Sequence, residues 1–139
     1  MIDIPFQILN VTKWQAFRAL LPNGSTLEYR IIIITNVPTI QYFYITSQVD
    51  KAKLRASKDI SSLVELSPQD WKGCLSKDCC IQCSRANMKS INIDDLMALH
   101  KKHPIRPLGE VPENIKTKIK AAICQSKTYS STEKKFYTL

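Results

Sequence analysis

The stretch Leu27–Thr35, Leu-Glu-Tyr-Arg-Ile-Ile-Ile-Ile-Thr, constrains the fold more than any other part of the chain. Four consecutive β-branched isoleucines are stiff at χ1, fit poorly in a helix and favour pleated packing on both faces of a sheet. Asn36-Val37-Pro38 interrupts the run, and Gln41–Gln48 (Gln-Tyr-Phe-Tyr-Ile-Thr-Ser-Gln) follows as a second strand. So short a connection predicts an antiparallel hairpin, Tyr29–Thr35 against Gln41–Ser47, at the centre of the domain.

The remaining segments are shorter. Ile4–Asn10 reads as a strand. Thr12-Lys13-Trp14-Gln15 matches a capping box, and Trp14, Phe17 and Leu21 are spaced for a short helix over 13–21, with a strand left open by the brevity of the segment. Pro22-Asn23-Gly24-Ser25 is a turn. Lys51–Lys58 reads as a basic loop, Leu63–Leu66 as a strand, and Ser67-Pro68 as the start of a one-turn helix. Cys79–Ser84 is a further strand. Asn92 caps a helix running to about Lys102, and Pro112 opens another in which Ile115, Ile119, Ala122 and Ile123 form one apolar stripe. Lys127–Leu139 is polar and without a stripe, and reads as a mobile tail. Short strands followed by two or three helices predict a single α+β domain over 1–126, mainly β: a small antiparallel barrel with helices packed on it.

A chain of 139 residues with 44% apolar content is long enough to bury a core without staples. No apolar run exceeds four residues, against the ~20 of a membrane-spanning helix. The N-terminus lacks the pattern of a signal peptide, so a cytoplasmic location is expected, with no membrane partner. Five cysteines, an odd count with Cys79 and Cys80 adjacent, make a poor disulfide framework and fit reduced thiols. Twenty Lys and Arg against 12 Asp and Glu leave +8, which favours a polyanionic or acidic partner.

Three constellations bear on chemistry. Cys74, Cys79, Cys80 and Cys83 offer four thiols but only one Cys-x2-Cys knuckle, so small buried hydrophobes are the simpler reading and no metal or other cofactor is assigned. His100 falls on the apolar side of its helix and His103 precedes Pro104, and neither pairs by spacing with a nucleophile. The third is Arg30, which opens a very apolar strand, with Thr46-Ser47 ending the neighbouring one. An arginine in such a place reaches solvent or faces an anionic ligand. Beside two hydroxyls, its guanidinium suits a phosphodiester, because the fork matches phosphate and offsets developing negative charge. Lys51, Lys53, Arg55 and Lys58 are the accompanying candidates for RNA contact, and Lys116, Lys118 and Lys120 line a second basic stretch.

The order of these pieces resembles the MazF/PemK-like family of toxin endoribonucleases. Gly24-Ser25, Tyr29-Arg30-Ile31-Ile32-Ile33-Ile34-Thr35-Asn36 and Tyr44-Ile45-Thr46-Ser47 occupy the places of the family's turn, arginine-led strand and Thr-Ser strand end. Leu63–Leu66, Cys80–Ser84, Leu108-Gly109-Glu110-Val111 and the helix ending near Ser126 look like later family elements, so the match spans about 22–126. Where the family usually has proline after the arginine, this chain has Ile31, and the cysteine cluster has no counterpart. The resemblance implies an SH3-like barrel, a homodimer, and an antitoxin protein covering the site. It also implies cleavage of single-stranded RNA by the ribose 2′-hydroxyl without metal. Arg30 would act as catalytic arginine and Thr46, with Ser47, would hold the phosphate. The alternative reading is a basic barrel that binds nucleic acid or protein without cleaving.

Overall fold

The computed structural model describes residues 11–21 and 28–139. The expected strand Ile4–Asn10, the turn Pro22–Ser25 and the Gly24-Ser25 piece lie outside the described residues. The described chain is α+β. A five-stranded sheet runs in the order β6-β3-β2-β1-β7. Its strands are β1 (Gln15–Ala19), β2 (Tyr29–Thr35), β3 (Ile40–Ile45), β6 (Lys89–Ile91) and β7 (Arg106–Glu110), and every pairing is antiparallel. A second, two-stranded sheet pairs β4 (Leu63–Leu66) with β5 (Cys79–Gln82). Four helices accompany them: α1 (Val49–Arg55), α2 (Ile93–Lys102), α3 (Glu113–Gln125) and α4 (Ser131–Tyr137). No helix among the described residues is long and apolar enough to cross a membrane.

The isoleucine run does what its stiffness demands. Ile32 and Ile34 enter one core with Phe43 and Ile45 of β3, Val64 and Leu66 of β4, Cys79 and Ile81 of β5, and Ile115, Ile119 and Ile123 of α3. Ile31 and Ile33 enter a second core on the other face, with Phe17, Tyr42 and Leu96 of α2. Alternation along β2 therefore feeds two layers, and all four isoleucines are buried.

Two elements follow their caps. The Asn92 side chain accepts a bond from Asp95 N–H at 2.8 Å at the start of α2, and Ser67 with Asp70 forms a capping box on a short 3₁₀ turn. Of the helix and the strand left open for 13–21, the structure forms the strand, over Gln15–Ala19. Trp14 sits at φ 68°, its N–H donates to Ile33 C=O at 2.7 Å, and its C=O accepts from Val111 N–H at 2.8 Å, so sheet bonding wins over local periodicity. Lys51–Lys58 is largely helix, not loop, since Ala52, Lys53, Leu54 and Arg55 are good helix formers and Ala52 and Ala56 bury a narrow stripe. Residues 127–139, read as a mobile tail, carry α4. Ser130 and Glu133 form a capping box, and Tyr129 and Tyr137 are buried in the first core.

Candidate functional site

The open end of the β2–β3 hairpin forms one wall of a cleft of about 650 Å³. Arg30 opens β2 and stands opposite Ile45, the last residue of β3. The chain after Ile45 is then stitched to the small sheet. Thr46 N–H donates to Cys80 C=O at 3.0 Å, and Cys80 N–H donates to Thr46 C=O at 2.8 Å. Both backbone groups of Thr46 are thus fixed, which sets where its side chain starts. Its Oγ1 accepts from Gln48 N–H at 3.1 Å and so turns the chain into α1. The hydroxyl proton is left to donate elsewhere. Ser47, the next residue, is exposed and lines the same cleft.

The far wall is the loop between Trp71 and β5. Arg30 reaches it: Nη1 donates to Cys74 C=O and Nη2 to Cys79 Sγ, both at 3.4 Å. These are long, uncharged contacts that orient the guanidinium without neutralising it. Cys74 lines the cleft, and burial pushes its thiol up from its usual value while Arg30 and Arg18 pull against that. Cys80 is pushed up to about 11, chiefly by burial, and Cys83 is pushed higher still by complete burial. These thiols are packing groups in their protonated form. Among the described residues no group of three or more His, Cys, Asp or Glu is placed to hold a metal ion.

The structure brings Arg30, Thr46, Ser47 and Arg55 to one cleft. It does not bring Lys51, Lys53 or Lys58 to the lining. Lys53 is bound to Glu65 at 2.9 Å, and Lys51 and Lys58 are exposed. Lys116 and Lys118 are also engaged, with Glu110 and Asp70, and Lys120 lies over the Trp14 ring. Three cations of the lining escaped the sequence reading: Arg18 of β1, Lys77 of the cysteine loop and Lys89 of β6. Cross-strand register could have found Arg18, since Arg18 pairs with Arg30, but only once 13–21 is taken as a strand.

Among the described residues, five cations therefore line the cleft, against one carboxylate, Glu28. That carboxylate pairs with Arg106 through Oε1, while its Oε2 lies 3.1 Å from His103 Nε2 and makes no hydrogen bond among the described residues. Tyr29 and Tyr44 add aromatic rings, edge to face with centroids 5.2 Å apart. His100 is elsewhere, buried in α2, where its Nδ1 accepts from Ile105 N–H at 2.9 Å. Such a lining suits an anionic ligand, adds aromatic rings to its wall and puts an arginine fork in the same cleft as two hydroxyls. No family model and no curated protein matches this chain.

Proposed function

We propose that the chain is a metal-independent endoribonuclease of the MazF/PemK-like kind, acting on single-stranded RNA through attack of a ribose 2′-hydroxyl on the adjacent phosphate. The observation that carries the reading is the un-neutralised Arg30 guanidinium beside Thr46 and Ser47 in a cleft of five cations and two tyrosines. Attack on the phosphate adds negative charge to its equatorial oxygens and breaks the P–O5′ bond, so that the 2′-hydroxyl loses its proton and the departing 5′-oxygen gains one, leaving a 2′,3′-cyclic phosphate and a 5′-hydroxyl. Arg30 offsets that charge with directed N–H donors, and the Thr46 and Ser47 hydroxyls donate to the same phosphate. In this reading the two sheets, joined through Thr46 and Cys80, are parts of a small, partly open SH3-like barrel. The resemblance further supports a homodimer. The same cleft is where an acidic antitoxin would compete with RNA.

A second reading, a basic module that binds RNA without cutting it, is favoured by one observation. Neither histidine lines the cleft to take the 2′-hydroxyl proton: His103 stands outside the lining, 3.1 Å from Glu28 Oε2, and His100 lies in the core.

One experiment separates the two. Purified protein is incubated with single-stranded RNA in excess chelator, and products are resolved with their termini identified. Cleavage leaving 2′,3′-cyclic phosphates is expected. Arg30→Ala is expected to lower the rate at least about 100-fold, the usual cost of losing a donor to a developing oxyanion. Its circular dichroism spectrum should be unchanged. Arg30→Lys keeps the charge, loses the fork and should restore little. Undiminished cutting by Arg30→Ala sinks the assignment, and binding without cutting by the wild type selects the second reading.

A further inference from the structure

Among the cleft cations with no role in the chemistry above, Arg18 has an unusual position. It stands on β1 directly opposite Arg30 of β2 and directly opposite Arg106 of β7. Three arginines thus form one row across three neighbouring strands. Directly opposed residues of an antiparallel pair share a face with Cβ atoms ~4.5–5.5 Å apart, where like charges destabilise. The row is neutralised at one end only. Glu28 takes Arg106. Among the described residues, no carboxylate lies within ion-pair distance of Arg18 or Arg30. Both arginines line the same cleft as Cys74, whose carbonyl accepts from Arg30 Nη1.

We propose that Arg18 and Arg30 form a two-guanidinium clamp on one backbone phosphate of single-stranded RNA, with Arg18 a phosphate-binding residue. The inference rests on the RNA reading of the cleft and adds to it which group shares the phosphate with Arg30. An anion between the two guanidiniums turns a repulsive cross-strand pair into two charge-assisted, fork-shaped contacts. Tyr29 and Tyr44, lining the same cleft, lie where bases flanking that phosphate can stack.

The test is binding of a fluorescein-labelled 2′-O-methyl single-stranded RNA ten-mer, whose blocked hydroxyl prevents cleavage, followed by anisotropy at several salt concentrations. Arg18→Ala is compared with Lys101→Ala, which removes one exposed cation from α2 outside the cleft. Arg18→Ala should weaken binding by roughly 10- to 100-fold, as loss of a charge-assisted bond does. It should also make the log–log salt slope shallower by about 0.7, the share of one phosphate contact on a single strand. Lys101→Ala should lose less than about twofold, and Arg18→Lys should fall between. Without RNA, Arg18→Ala should melt no lower than the wild type, because a like-charge pair is relieved. That keeps misfolding from passing as lost binding. A wild type that binds the ten-mer but cuts no unmodified RNA defeats the nuclease reading and leaves the clamp. A wild type that cuts, with Arg18→Ala binding no worse than Lys101→Ala, defeats the clamp alone. A wild type that does not bind the ten-mer defeats both.

Discussion

At the scale of single residues, the thiols behind the cleft carry a pH dependence whose sign is settled by burial. Burial raises Cys80 from its ordinary 9.0 to about 11 and holds Cys83 and Tyr129 up in the same direction. Unfolding releases these groups to their ordinary values, so above about pH 9 the unfolded chain binds fewer protons than the folded one. Stability therefore falls as pH rises from about 9 to 11. Urea unfolding at pH 7 and pH 10 should show a lower midpoint at pH 10, and Cys80→Ser or Cys83→Ser should flatten the difference. Cys79–Ser84 was legible as a strand, and the structure forms it over Cys79–Gln82 with Cys79, Cys80 and Cys83 buried, while Cys74 stays half-buried outside it. Arg30 was legible as an anomaly: a guanidinium at the head of four isoleucines needs either solvent or an anion. Its neighbours across the cleft were not legible, because Lys77 and Lys89 are unremarkable surface lysines until the chain folds back.

At the scale of elements, α4 acts as a clasp. Tyr137 Oη donates to Gln41 Oε1 at 3.0 Å across 96 residues of sequence, Tyr129 Oη donates to Cys83 C=O at 2.6 Å, and Arg85 pairs with Glu133 at 2.9 Å. Gln41 is only 6% exposed, so removing its partner strands a buried acceptor. Tyr137→Phe should cost about 1–2 kcal/mol in urea unfolding. Truncation after Ser126 removes both tyrosines from the core and should cost at least about 3 kcal/mol. A segment that limited proteolysis removes without loss of stability would contradict this. Both α1 and α4 are short and bury narrow stripes, Ala52 and Ala56 in one case and little beyond Tyr137 in the other. Their composition is mostly polar or charged, so periodicity does not announce them; packing and, for α4, a capping box make them. By contrast α2 and α3 were readable, since an Asn or Pro start and a stripe of Ile and Leu agree within each segment.

At the scale of the whole molecule, the +8 charge becomes informative only through its distribution. Part of it is spent in ion pairs outside the cleft, such as Lys53 with Glu65 and Lys118 with Asp70, while five cations share the cleft with one committed carboxylate. If all five contact phosphate, the affinity for a single-stranded RNA should fall with salt at a log–log slope of about −3.5. A slope near zero, read from anisotropy titrations, would remove nucleic acid as the ligand of this cleft. The sequence by itself determined the β2–β3 hairpin, the two stripe-bearing helices and the residue types at the hairpin's open end. Each of these rests on interactions among residues close in the chain: β-branched stiffness, a proline break, a cap and its stripe. The tertiary structure alone decided that Gln15–Ala19 is a strand, that Arg18 therefore opposes Arg30, and that the cysteine loop returns across 44 residues to give Arg30 its Cys74 carbonyl. Those facts depend on register between distant segments and on burial from both faces. The hairpin's open end was visible as chemistry from the start, and folding made it a cleft with a second arginine.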